Sequence, residues 1–299
     1  MIKKVLYYLF VIAIVASCKS GSDKSGTLDL DDSDIVQGEL EVSGAVMQDI
    51  IQSVSSPVEM AALVKSLGVG FSNKYLAPTN KVSEFTTSFQ KAFNLGVYGA
   101  DLGYLNMYSK TANVIDYISA IKNLADGIRV GQFFDFTTLK RLAQNSQNLD
   151  SLMYLSVHSF NQMDQYLRDN NRSNLSALMV IGVWVEGLYL VTQVANEAPH
   201  PELAERIGEQ KIILEKLMLV VKNFAKDRQF SILLEELNLL NDLYKNVEIV
   251  IIPGEPEPRE ENGMLVFIQN ETSVVKITDE QLKEIIVTTE KVRNKLINL

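Results

Sequence analysis

Two acids sit where acids are rare. Glu186 lies inside Ser173–Ala198, SNLSALMVIGVWVEGLYLVTQVANEA, which is otherwise apolar on nearly every side, and Asp101 lies inside the glycine-rich run FNLGVYGADLGYLNMY. A carboxylate in a dry core is costly unless it is paired or hydrogen-bonded, so each acid needs a reason. At 100° per residue, Gly182, Glu186, Tyr189 and Gln193 share one helix face while Trp184 points elsewhere. Asp101 has Tyr98 and Tyr104 at i−3 and i+3. Two carboxyls sharing a cavity could do acid–base work. A polar stripe between two apolar helices could line a pocket for a small ligand. Either acid could also be structural, satisfied by tyrosine hydroxyls, by Arg129 or by water. His158, in YLSVHSFNQMDQYL, completes the polar candidates and reads as a core or helix-face residue. A di-iron bundle wants Glu-x-x-His pairs, and Leu155 stands three residues before His158. With two His and one Cys in the chain, a His/Cys metal site lacks ligands. No Walker loop, GxGxxG, GxSxG, HExxH or CxxC occurs, so neither a metal nor a cofactor is expected.

The elements that must hold these residues read as helices. Ser173 or Asn174 can cap the central rod, and a helix apolar all round belongs in the middle of a bundle or in a membrane. Its length would suffice for a membrane span, but its amphipathic neighbours favour a bundle. A second helix is expected from Val82 to Tyr108. In it Gly96, Gly99, Ala100 and Gly103 fall on one face, which predicts close approach of another helix backbone, since each interior Gly costs about 1 kcal/mol against Ala. Gly96-Val97-Tyr98 and Gly182-Val183-Trp184 echo each other, each followed by an acid. Around these two rods, short helices are expected at Val42–Val54 and from a Ser56 capping box to Leu67. Others are expected at Thr111–Asp126, Thr137–Asn145, Leu149–Asn170, Glu202–Lys226 and Phe230–Asn246, the last with Leu233, Leu237 and Leu240 as core and Leu239 and Leu243 beside them. Ile249–Ile252 is a β-branched run stopped by PGEPEPREENG, which reads as a linker. MLVFIQNETSVVKI reads as a small hairpin turning at Gln269–Thr272, and Thr278–Gln281 is a capping box for a last helix. The fold expected is all-α, a multi-helix bundle around a buried central helix, with a small C-terminal α/β appendage. The bundle would occupy residues 41–250 and the linker, hairpin and last helix residues 251–299.

Charge narrows the partners. The net charge is −9, and about −11 without Lys3 and Lys4. An acidic chain with no Lys/Arg cluster argues against nucleic acid and against electrostatic binding to anionic lipid. An acidic tether, Lys19–Asp34, is rich in Ser, Gly and Asp and reads as disordered. It lacks the spacing of a calcium loop.

The first eighteen residues, MIKKVLYYLFVIAIVASC, have a basic start, an apolar stretch and small residues before a Cys. That is a secretory signal over residues 1–17, excluded from the fold. Val15-Ala16-Ser17-Cys18 resembles the lipobox of bacterial lipoproteins. The sole Cys of the chain stands at the required place. The resemblance covers only these residues and implies cleavage before Cys18, acylation of Cys18 (palmitate among the chains) and anchorage in the cell envelope. Lys19, in place of the Asp that favours inner-membrane retention, implies the outer membrane, facing periplasm or surface. A multiply acylated Cys, at ~0.8 kcal/mol per buried CH₂, is a firm anchor, with residues 18–40 as lipidated Cys and tether.

Three functions follow as expectations: a lipid-anchored helical scaffold that binds an envelope protein, a small-ligand binder between the two glycine-containing helices, and an enzyme using Asp101 and Glu186. The absence of any catalytic motif places the enzyme last.

Overall fold

The computed structural model describes residues 64, 66–144, 148–261 and 264–299. The signal, Cys18, the tether, the Val42–Val54 helix and all but the end of the Ser56 helix lie outside the described residues. Backbone contacts divide the chain between Glu39 and Leu40, and all described residues belong to the second unit.

α1, Ser88–Met107, opens on a capping box: the Thr87 hydroxyl accepts from the Gln90 N–H, and the Gln90 side chain accepts from the Thr87 N–H. The helix is therefore shorter than the apolar periodicity from Val82 predicts. Thr79–Glu84 is a separate 3-10 segment, and the backbone is extended at Phe85 and Thr87. After it come α2, Thr111–Gly127, α3, Phe136–Ala143, and α4, Leu149–Asp169. α1, α2 and α4 end alike. Ser109, Arg129 and Asn171 adopt left-handed backbone, and the next N–H returns to a carbonyl five residues back: Lys110 to Leu105, Val130 to Ala125 and Arg172 to Leu167. This is the Schellman arrangement, which satisfies carbonyls a helix end leaves open.

α5, Ser173–Glu197, is the expected rod. Neither Ser173 nor Asn174 caps it; Arg172 occupies the cap position without a side-chain bond and instead donates to the Ile128 carbonyl at 2.7 Å. The helix is long and apolar enough to cross a membrane, but 89% of its most apolar 18-residue stretch is buried inside the protein. Its neighbours are α1, α4, α6 (Pro201–Asn223) and the last helix, α8 (Asp279–Leu296). Pro201 begins α6 at its first turn, where a missing N–H costs nothing, and His200 caps it. α7, Arg228–Tyr244, packs on α6 and α8. Leu233, Leu237 and Leu240 are buried as expected, but Leu239 is exposed. Two residues on from Leu237, at about 100° each, it has turned to the opposite side of the helix.

α1 and α5 touch backbone to backbone. A Cβ on Gly96 would lie 2.0 Å from the Met179 carbonyl oxygen and 2.7 Å from the Val183 nitrogen; a Cβ on Gly182 would lie 2.1 Å from the Phe93 carbonyl oxygen and 3.2 Å from the Val97 nitrogen. Each glycine thus rests on the other helix's residues at i−3 and i+1, a locally two-fold contact between parallel helices. The expected glycine face divides, however: Gly99 meets the Phe160 ring of α4, not α5.

The C-terminal piece departs from expectation. PGEPEPREENG is not a linker, and MLVFIQNETSVVKI is not a hairpin in itself. Glu248–Glu261 forms one long strand, β1, and Met264–Lys276 a second, β2, paired antiparallel with an irregularity between Pro253 and Pro256. Two-residue Asn-Gly connections are the strongest short hairpin signal, and Asn262-Gly263 stands between the strands. The base of the ribbon packs on α6, where Val275 occupies the space a side chain at Gly208 would fill. The Thr278 capping box forms with Gln281. α8 then returns into the bundle against α5 and α7. The fold is an all-α bundle around a buried central helix with a small C-terminal α/β appendage.

Candidate functional site

The rod's polar stripe faces a cluster of charge. Glu186 and Asp101 are both fully buried. The partner of Glu186 is not Arg129, which is exposed at the end of α2, but Arg293 of α8. Its Nη2 donates to Oε1 at 2.6 Å and its Nε to Oε2 at 2.8 Å, the two-pronged geometry that suits guanidinium and carboxylate. The guanidinium lies 4.4 Å from the centre of the Tyr189 ring, a cation–π contact. Arg293 was legible in principle: Ile285, Ile286, Thr289, Val292, Arg293 and Leu296 form the buried stripe of α8, so an arginine occupies a core position. A charged side chain in an amphipathic helix is more often solvated, and its partner is 107 residues away.

Asp101 joins the same cluster from α1. One oxygen, Oδ2, accepts the Ala77 N–H at 3.0 Å. The other, Oδ1, is buried with no hydrogen-bond partner among the described residues. Burial pushes the Asp101 carboxyl well above the usual carboxylate range, and the Glu186 charge pushes it further, while Arg293 and the Ala77 N–H pull the other way.

What this cluster positions is a loop. The chain between Tyr75 and Pro78 is not helical, and Ala77 is fully buried, so its backbone groups need partners inside the protein. The Ala77 N–H goes to Asp101, and the Ala77 carbonyl accepts the Tyr117 hydroxyl at 2.5 Å. The Pro78 carbonyl accepts Tyr98 at 3.0 Å, and the Tyr75 carbonyl takes a longer bond from Arg293 at 3.4 Å. Burial, then the neighbouring Asp101 and Glu186, push the Tyr98 and Tyr117 phenols up, so both remain donors. Asp101, Glu186, Arg293, Tyr98 and Tyr117 form one lock on a buried segment.

Of the other candidates, Tyr189 belongs to this cluster. Tyr104 lies further along α1, accepting the Ser72 N–H at 3.1 Å and stacking on Phe71. His158 is on the solvent side of α4, stacked on the exposed Tyr154, so of the two expectations it is the helix-face residue and not the core one. Trp184 points away from the stripe, as the spacing predicts, and donates to Gln210 of α6 at 3.0 Å. The Gln193 amide nitrogen is buried with no partner among the described residues, as are both side-chain polar atoms of Asn106 near the end of α1. A second buried polar clamp joins α4 to α5: Asp164 accepts from Ser176 and takes Arg168 at 2.7 and 3.0 Å.

The upward shift of the Asp101 carboxyl has a test. A carboxyl whose pKa is higher in the folded than in the unfolded state gives stability that is full below its unfolded value, about 3.9, and lost as pH rises through the folded value. Asp101→Asn keeps the shape of the neutral acid and an acceptor for the Ala77 N–H, without that loss. Denaturant melts should show the Asn variant gaining on the wild type steadily from acid to neutral pH. Parallel stability–pH curves for the two proteins would mean that folding does not raise the Asp101 carboxyl.

Compared with protein-family models, curated proteins and solved structures, the chain matches none of them.

Proposed function

We propose that this chain is a bacterial lipoprotein, held in the cell envelope by acylated Cys18, whose helical domain binds another envelope protein and turns over no substrate. The lipobox residues support the anchor. The observation that carries the rest is the commitment of the buried acids: Glu186 is engaged at both oxygens by Arg293, Asp101 accepts the Ala77 N–H, and neither side chain reaches solvent. A general acid or base must come within hydrogen-bond reach of a substrate proton, and these are sealed from one. Apolar side chains stand on outer helix faces instead, Tyr154 and Val157 on α4 and Ile212 and Leu219 on α6.

Cys18→Ser should abolish acylation and release the protein from the membrane fraction or leave its precursor unprocessed. Signal-cleaved mutant protein that still fractionates with membranes would overturn the lipoprotein reading. Crosslinking in intact cells should then recover one specific protein from the anchored form. Small-ligand binding between α1 and α5 is the second reading, favoured by the unpaired Asn106 and Gln193 amides. A thermal-shift screen in which one polar metabolite raises the wild-type Tm, but not that of Asn106→Leu, would select it.

A further inference from the structure

The β1–β2 ribbon is long for what it rests on. Its strands have 14 and 13 residues, against a usual five or six, and a two-stranded hairpin alone is marginal in water. At roughly 3.4 Å per residue, β2 extends about 44 Å. The ribbon's main contact with the helices is at its base, on α6, and Ile252 and Val274 are exposed. In a two-stranded sheet, each strand has one edge to which no other strand pairs among the described residues.

The two free edges differ. β1 carries Pro253, Pro256 and Pro258, five glutamates and one arginine. Pro256 and Pro258 have the same parity, so both nitrogens point to one edge. The ladder to β2 keeps its donors only if that is the outer one. Proline and charge are the usual guards of an edge strand. β2 has no proline, one acid and one base, Glu271 and Lys276, and is otherwise apolar or neutral. One edge of the ribbon is guarded against pairing, and no strand among the described residues pairs with the other.

We infer that the open edge of β2 pairs antiparallel with β2 of a second copy of this chain, giving a four-stranded sheet in the order β1-β2-β2-β1. Charge selects that occupant. Two β2 strands bring no net charge together, while the acidic β1 strands are held two strands apart on the outside. In the register that overlaps the whole strand, Met264 of each copy lies opposite the other's Lys276 and Glu271 opposite Gln269, so no like charges meet. The proline-guarded β1 edges end the sheet at two copies, which gives a closed two-fold assembly and no open polymer.

The test uses full-length acylated protein in detergent. Light scattering should give twice the protomer mass. Single cysteines are placed at Val266, Ile268, Asn270, Thr272 and Val274, with Tyr154→Cys on α4 and the unsubstituted protein as controls, and mild oxidant is added. Asn270 lies on the two-fold axis of the full register, so disulfide dimer should peak at Asn270→Cys, severalfold above both controls, and fall off toward Val266 and Val274. Asn270→Asp and Asn270→Lys should each lower the dimer fraction, and mixing them should restore it. A protomer mass together with a flat cysteine scan overturns the proposal. So does a β2 cysteine that crosslinks to a protein of another mass and never to its own copy.

Discussion

Arg293→Leu is expected to cost about 3–5 kcal/mol of unfolding free energy, because breaking a buried ion pair from one side leaves an uncompensated charge. The side chains of Arg293 and Glu186 are 8% and 0% exposed, so water cannot replace the lost partner. The substitution also removes a bond to the Tyr75 carbonyl and the cation held over Tyr189. Glu186→Gln is not conservative here, since it leaves the guanidinium buried without its counter-charge. The double variant Arg293→Leu, Glu186→Leu should recover part of the loss, as replacing both members of a buried pair by apolar side chains is often close to neutral. Denaturant melts of wild type, Arg293→Leu, Glu186→Leu and the double variant measure the coupling. If Arg293→Leu melts within error of wild type, the ion pair is not what fastens α8 to α5.

The second large effect is expected at the crossing of α1 and α5. Gly182→Ala would place a methyl 2.1 Å from the Phe93 carbonyl oxygen, and Gly96→Ala one 2.0 Å from that of Met179. These are backbone atoms of the two central helices, so no rotamer change relieves them and the helices must separate. Overpacking a core costs typically about 1–3 kcal/mol, occasionally more; a clash against backbone belongs at the upper end or beyond, and Leu at either site should prevent folding. Gly99→Ala meets only the Phe160 ring, at 2.4 Å, and should cost less. Gly187→Ala, in the same rod with nothing within 4 Å, should be neutral or stabilising by up to about 1 kcal/mol through helix propensity. Melts of Gly182→Ala and Gly187→Ala therefore isolate the crossing from the propensity. If the two are equally stable, the close approach is wrong.

Much of this protein was legible in local pattern. The all-round apolar character of Ser173–Glu197 marked it as the bundle's centre, and the spacing of Gly182, Glu186 and Tyr189 placed the polar stripe on one side of it. The interior glycine at Gly96 announced a close helix contact, because only contact compensates its cost in a helix, but its counterpart Gly182 was not legible as the other half of that contact. The Thr278 capping box located the start of α8. These features depend on neighbours within a few residues, and 3.6-residue periodicity reports such neighbours directly. The identity of the acids' partner did not follow from pattern. Arg129 and Arg293 are both arginines, and only the return of α8 across 107 residues decides which guanidinium reaches Glu186. The role of Asp101 depended likewise on the Ala77 N–H, whose need for a partner exists only because tertiary packing buries that loop. The long ribbon was hidden by its prolines, which read locally as a linker and which a strand tolerates at an unpaired outer edge. Where periodicity alone sets the outcome, as in the rod, residue order was enough. Where a charge or a backbone group is desolvated by chain far away in sequence, the tertiary structure decided, since burial is a property of the whole fold.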